Sequence, residues 1–138
     1  MRPDANSGRH RTASHMEGVS NIQLQMVWPR GLQPRAAASL LHPDYRLRLF
    51  QSGDEPAFFT LMARAGWPGW DEERLAPWRP RVVPHSWYVA EHRSTGLLAA
   101  TAMGLDDPTE WHPAGGELGW VAADPDHWGR GLGMAVCA

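Results

Sequence analysis

Gly116-Glu117-Leu118-Gly119-Trp120-Val121-Ala122-Ala123-Asp124-Pro125-Asp126-His127-Trp128-Gly129-Arg130-Gly131-Leu132-Gly133-Met134-Ala135-Val136-Cys137-Ala138 closes the chain and carries its most informative pattern. It reads as a strand, a proline-bounded turn, a glycine-rich loop and the start of an apolar helix. Gly129, Gly131 and Gly133 stand at alternate positions, where backbone can approach a ligand that a Cβ would meet. A helix starting just after them turns free N–H groups and the positive end of its dipole toward the loop. That combination predicts an anion site, most often for phosphate. A plain chain-reversing turn is the bland alternative, and the order strand, loop, helix favours the anion site over it.

Working back from this stretch, residues 106–116 form a long polar loop with three carboxylates and His112, a length associated with function in compact domains. Before it, 86–92 and 97–103 are strand-like runs around Arg93-Ser94-Thr95-Gly96, a hairpin. The second run is apolar on both faces. The sheet should therefore carry helices on both sides, and its alanines should let one pack closely. Trp67, Trp70 and Trp78 crowd a short segment in which Asp71 is placed to cap a helix. They either line a pocket or plug the gap between helix and sheet. Further back, Phe58, Leu61, Met62 and Ala65 follow at i, i+3, i+4 and i+7 behind Asp54, a second candidate cap. Tyr45-Arg46-Leu47-Arg48-Leu49-Phe50 alternates as a half-buried strand. Residues 1–43 have low hydrophobicity and repeated prolines, and are expected to be a poorly ordered extension before a domain at 44–138.

Composition narrows the classes. The chain has 138 residues, 13 basic against 15 acidic, one cysteine (Cys137) and 43% apolar residues, which fits one domain with a real core. No basic run marks a nucleic-acid partner. No apolar run approaches a membrane span, and the first residues lack a signal-peptide centre, so a cytoplasmic protein is expected. The histidines show no recognisable ligand spacing, and no metal is expected.

The element order, with Val121-Ala122-Ala123-Asp124-Pro125-Asp126-His127-Trp128-Gly129-Arg130-Gly131-Leu132-Gly133, resembles the GCN5-related N-acetyltransferase (GNAT) superfamily. The family signature is arginine or glutamine, two residues, glycine, one residue, then glycine or alanine. Gly131 and Gly133 fill its small positions, while Trp128 stands where arginine or glutamine is usual and Arg130 offers a substitute charge. The resemblance implies an α+β fold with a central, largely antiparallel sheet flanked by helices. It also implies acetyl-CoA as acyl donor and an amine, small molecule or peptide, as acceptor. Trp128, Gly129, Arg130, Gly131, Leu132 and Gly133 would cradle the pyrophosphate. Backbone groups near Val121 and Ala122 would pair with the pantetheine arm. Glu117, on the same strand, is the candidate base, acting through water on an amine that must lose a proton before it attacks; a solvent-facing strand glutamate is its plain alternative.

The family's domain continues past this helix with another strand, a helix and a hairpin. The sequence therefore reads as C-terminally truncated, with apolar surface exposed, marginal stability and little activity of its own expected. A non-catalytic CoA-binding or regulatory fragment is the competing function. The identity of the acceptor and a homo-oligomeric state are left open.

Overall fold

The computed structural model describes residues 31, 33, 41–108 and 112–138. The chain divides into two units, residues 1–32 and Gln33–Ala138, and nearly all described residues belong to the second. Of the expected N-terminal extension, all but Gly31, Gln33 and residues 41–43 lies outside the described residues. Leu41 packs against the core, and the Pro43 carbonyl accepts a bond from Arg93 Nε at 3.1 Å.

Four strands form one antiparallel sheet in chain order: β1 (Tyr45–Leu49), β2 (Val82–His92), β3 (Leu98–Asp106) and β4 (Gly116–Ala123). Helices α1 (Glu55–Arg64) and α2 (Glu72–Leu75) lie between β1 and β2, and α3 (Leu132–Cys137) follows β4. The fold class is α+β, as expected. Residues 98–103 and Leu105 of β3 are all buried, because helices cover the sheet on both sides.

The two faces are built differently. On one, Phe58 and Met62 of α1, Trp70 and Leu75 meet Trp87, Met103 and Leu105 of the sheet. On the other, Leu132 and Val136 of α3 lie on Ala90, Ala99, Ala100 and Ala102, the close approach expected from small side chains.

One detail differs from the sequence reading. Asp54 precedes α1 but makes no side-chain cap bond. Its carboxylate is drawn back to Arg48 (2.6 and 2.9 Å) and to the Gln51 N–H (2.8 Å), since the charge-assisted bonds to Arg48 hold it on the β1 side of the turn. Asp71, with no such competitor, caps α2 through the Arg74 N–H at 2.9 Å. The tryptophans pack rather than line a pocket. Trp120 of β4 sits among Trp67, Trp70 and Trp78 with edge-to-face centroid distances of 5.8, 4.6 and 4.9 Å.

Candidate functional site

The β4–α3 connection is held to the body of the domain by an ion cluster. The Asp124 amide donates to the Ala99 carbonyl (2.8 Å), and its carboxylate accepts from the Asp126 N–H (2.9 Å) at the head of the 3-10 turn Pro125–His127. Arg64, in the last turn of α1, grips Asp124 with Nε and Nη2 (2.5 and 2.9 Å) and reaches Asp126 (2.5 Å). Asp124 is buried, and its carboxyl is held below the usual carboxylate range, first by Arg64, against the opposing effect of burial.

Beyond the turn the backbone goes left-handed twice, at Gly129 (φ +77°) and Gly131 (φ +72°). Both positions would strain any residue with a Cβ. Gly133 is different. It sits in the first turn of α3, and a Cβ there would meet nothing within 4 Å, so the space beside it is open. The first intrahelical bond runs from the Ala135 N–H to the Gly131 carbonyl (3.0 Å), which leaves the N–H groups of Leu132, Gly133 and Met134 without an intrahelical partner. Leu132 itself is buried and anchors the helix.

Arg130 is turned back onto the domain. Its Nη1 donates to the Tyr45 hydroxyl (2.9 Å) and the Asp126 carbonyl (3.2 Å), and lies 3.3 Å from His127 Nδ1. The Tyr45 hydroxyl lies 2.6 Å from the same Nδ1. Arginine can only donate, so the chain runs Arg130 to Tyr45 to His127, with Nδ1 as acceptor and the ring proton assigned to Nε2. Trp128 points outward, 68% exposed, with Nε1 bonded to the Ala123 carbonyl at 3.1 Å.

β4 is the edge strand of the sheet and is bulged. Thr101 pairs with Ala122 and Met103 with Gly119, so one residue of β3 faces two of β4, and Trp120 takes φ +49° there. Val121 is the second bulge residue and is exposed, whereas Ala122 is buried and paired. Glu117 pairs with Leu105 near the start of β4, and its carboxylate lies 3.7 Å from Arg81 Nη2. Roughly 16 Å of strand separates it from Ala122. Thus Val121 and Ala122 lie at the end of β4 that leads into the glycine loop, while Glu117 lies at the other end of the strand.

The Arg64–Asp124 clamp and the Tyr45–His127 bond are invisible in the sequence, since the partners stand 60 and 82 positions apart. The β4 bulge also leaves no sequence signal, because tryptophan is a poor candidate for positive φ. Among the described residues no helix is long and apolar enough to cross a membrane. No group of three or more histidine, cysteine, aspartate or glutamate residues stands ready for a metal there either.

Comparison with solved structures finds the same fold in acetyltransferases. A GCN5-related N-acetyltransferase from Sphaerobacter thermophilus superposes with TM-score 0.60 and 25% identity over 78% of this chain. An acetyltransferase from Trypanosoma brucei matches with TM-score 0.51 and 24% identity, covering 68% of this chain and 70% of its own. The chain spans 33% of the length of the Sphaerobacter protein. No family model and no curated protein matches the sequence. The fold of this chain is that of the GCN5-related N-acetyltransferase superfamily.

Proposed function

We propose that this chain carries the acyl-donor half of an acetyl-CoA-dependent N-acetyltransferase of the cytoplasm. One observation supports this most directly: two left-handed glycines lead into α3, whose first three amides have no intrahelical partner, and a Cβ at Gly133 would meet no protein atom within 4 Å. That arrangement fits a pyrophosphate, with Trp128, Gly129, Arg130, Gly131, Leu132 and Gly133 around it. The departure at Trp128 removes a side-chain contact and leaves the backbone amides in place. Arg130 adds positive charge at the loop, although Tyr45 and Asp126 already engage its Nη1.

In this reading, backbone at Val121 and Ala122 on the edge strand β4 pairs with an extended ligand arm, the way a strand adds to a sheet edge. Bound acetyl-CoA would supply a thioester carbonyl open to attack by an amine. For attack, the amine must be neutral, and Glu117 is the group on β4 able to take its proton through a water.

Calorimetry with CoA tests the reading, and Gly133→Ala makes it specific. The added methyl meets no protein atom and raises helix propensity by up to about 1 kcal/mol, so the melting temperature should hold or rise. It would nevertheless intrude where the pyrophosphate sits, and CoA affinity should fall at least about tenfold, about 1.4 kcal/mol. Unchanged CoA affinity in Gly133→Ala would remove the loop from the site.

The second reading, CoA binding without catalysis, draws on the Arg81 pairing of Glu117 and on Trp128 in the signature position. CoA binding with no acetyl transfer to any of a panel of amines would favour it.

A further inference from the structure

The glycine loop is tied down at two opposite edges of the domain. β1 and β4 are the two edges of the sheet, and Tyr45, His92, Leu98 and Ala123 stand at the same end of it. The connection from β4 to α3 leaves at one edge and is bonded at the other, three strand spacings or roughly 14 Å away. The His127 ring stands beside the His92 ring at the end of β2, with centroids 5.3 Å apart, and its Nδ1 lies 2.6 Å from the Tyr45 hydroxyl at the start of β1.

Tyr45 meets this connection at three places. Its hydroxyl gives its proton to His127 Nδ1 and accepts from Arg130 Nη1 at 2.9 Å, and its ring shares a buried cluster with Leu132 and Val136 of α3. These contacts bracket the two left-handed glycines: His127 precedes Gly129, Arg130 lies between the pair and Leu132 follows Gly131. Glycine restricts its own backbone least, so the path from 127 to 132 is set by what holds its neighbours. Arg64 holds the β4 side, through Asp124 and Asp126. The Tyr45 hydroxyl is the anchor at the far side.

Packing alone does not call for that hydroxyl. Tyr45 is fully buried, with its ring against His42, His92 and His127, and a phenylalanine would fill the same space. What tyrosine adds is one oxygen that takes two bonds to the loop. The partners of Arg130 Nη1 are neutral groups, namely this hydroxyl, the Asp126 carbonyl and His127 Nδ1. The guanidinium is thus fixed beside the glycines with its charge intact, whereas Arg64 is paired with carboxylates.

We infer that Tyr45 is a positioning residue for the acyl donor: its hydroxyl, acting through His127 and Arg130, holds the glycine loop in the conformation that takes a pyrophosphate. The inference rests on the reading of this loop as a CoA site. A loop ordered beforehand does not have to be ordered by its ligand, which raises affinity without any new contact.

Tyr45→Phe keeps the ring and removes the oxygen. In the ligand-free chain, NMR hydrogen exchange at the His127 and Trp128 amides, which bond the Asp124 and Pro125 carbonyls (2.9 and 3.3 Å), should quicken at least about fivefold while the β3 amides keep their rates. By calorimetry CoA should bind about fivefold more weakly, as expected for one lost hydrogen bond. His127→Leu should match that loss. His127→Asn places an amide oxygen on Cγ, where Nδ1 stands, and should restore affinity to within about twofold of the unaltered chain. A general loosening of the turn would leave the two His127 variants equally weak. The double variant Tyr45→Phe/His127→Leu should bind no more weakly than the poorer single one. Unchanged exchange at the two amides in Tyr45→Phe would overturn the inference whatever CoA does, and so would undiminished CoA affinity in that variant or no rescue by His127→Asn. An unaltered chain that binds no CoA would sink the pyrophosphate reading instead, with the exchange comparison still deciding the anchor.

Discussion

The two faces of the sheet use opposite packing solutions. On the α1 face, large side chains interlock: the Phe58 ring stands edge-on to Trp70 (5.4 Å) and to Trp87 (5.2 Å). On the α3 face, four alanines let a helix of six residues sit close to the sheet. The difference has a consequence for function. A bulky layer tolerates irregularity at its margins, and the bowed segment 83–86 of β2 lies there. A thin layer leaves no slack, so the loop entering α3 is held hard against the end of the sheet, where Arg64 and Asp124 clamp it.

The sharpest way to break this contrast is to remove a large side chain from the thick face. Phe58 is fully buried, and Phe58→Ala should cost about 3–5 kcal/mol in a urea unfolding curve, enough to unfold a marginal domain. A loss below about 1 kcal/mol would show that the aromatic layer collapses around the gap and is not interlocked.

The reverse change belongs on the thin face. Ala100→Leu adds bulk beneath Leu132 and Val136, and should cost about 1–3 kcal/mol by overpacking. Because α3 carries the glycine loop, the variant should also lose CoA affinity while Phe58→Ala, where it folds, keeps it. Equal CoA affinity in the two would erase the functional distinction between the faces.

The smallest expected effect concerns the clamps. Asp124 is held below its ordinary range first by Arg64, and Asp54 first by Arg48. Burial is the largest influence on Glu91 and pushes it up, but the bonds and charges of Arg48 and Arg46 together outweigh it and leave it lowered. A depressed folded value means the carboxylate contributes stability above its unfolded pKa, near 4, and loses it as pH falls through the folded value. Stability should therefore be flat from about pH 7 to 5 and decline below about pH 4. Asp124→Asn should make that acid decline shallower, and an unaltered acid limb would count against the clamp.

Much of the architecture was legible because it is local. The alternation of Tyr45–Leu49, the stripe Phe58, Leu61 and Met62, and the hairpin around 93–96 each declare themselves within a few residues. The unbroken apolar run of β3 announced a sheet covered on both sides. The glycine loop was legible too, since positive φ at Gly129 and Gly131 leaves a compositional mark. What failed to read were choices made by competition. Asp54 had the right position for a cap, yet Arg48 took its carboxylate. For the tryptophans the sequence favoured packing over a pocket without naming the partner, which is Trp120 of β4, filling the space between them.

By itself, the sequence determined the main strands and helices and the glycine turn that leads into α3, because periodicity and glycine act over a few bonds. Only the tertiary structure decided that Arg130 turns back to Tyr45, that Arg64 locks Asp124, and that two arginines each serve two carboxylates. Those outcomes depend on groups distant in sequence meeting at hydrogen-bond range, where several partners compete for each charge and geometry selects among them.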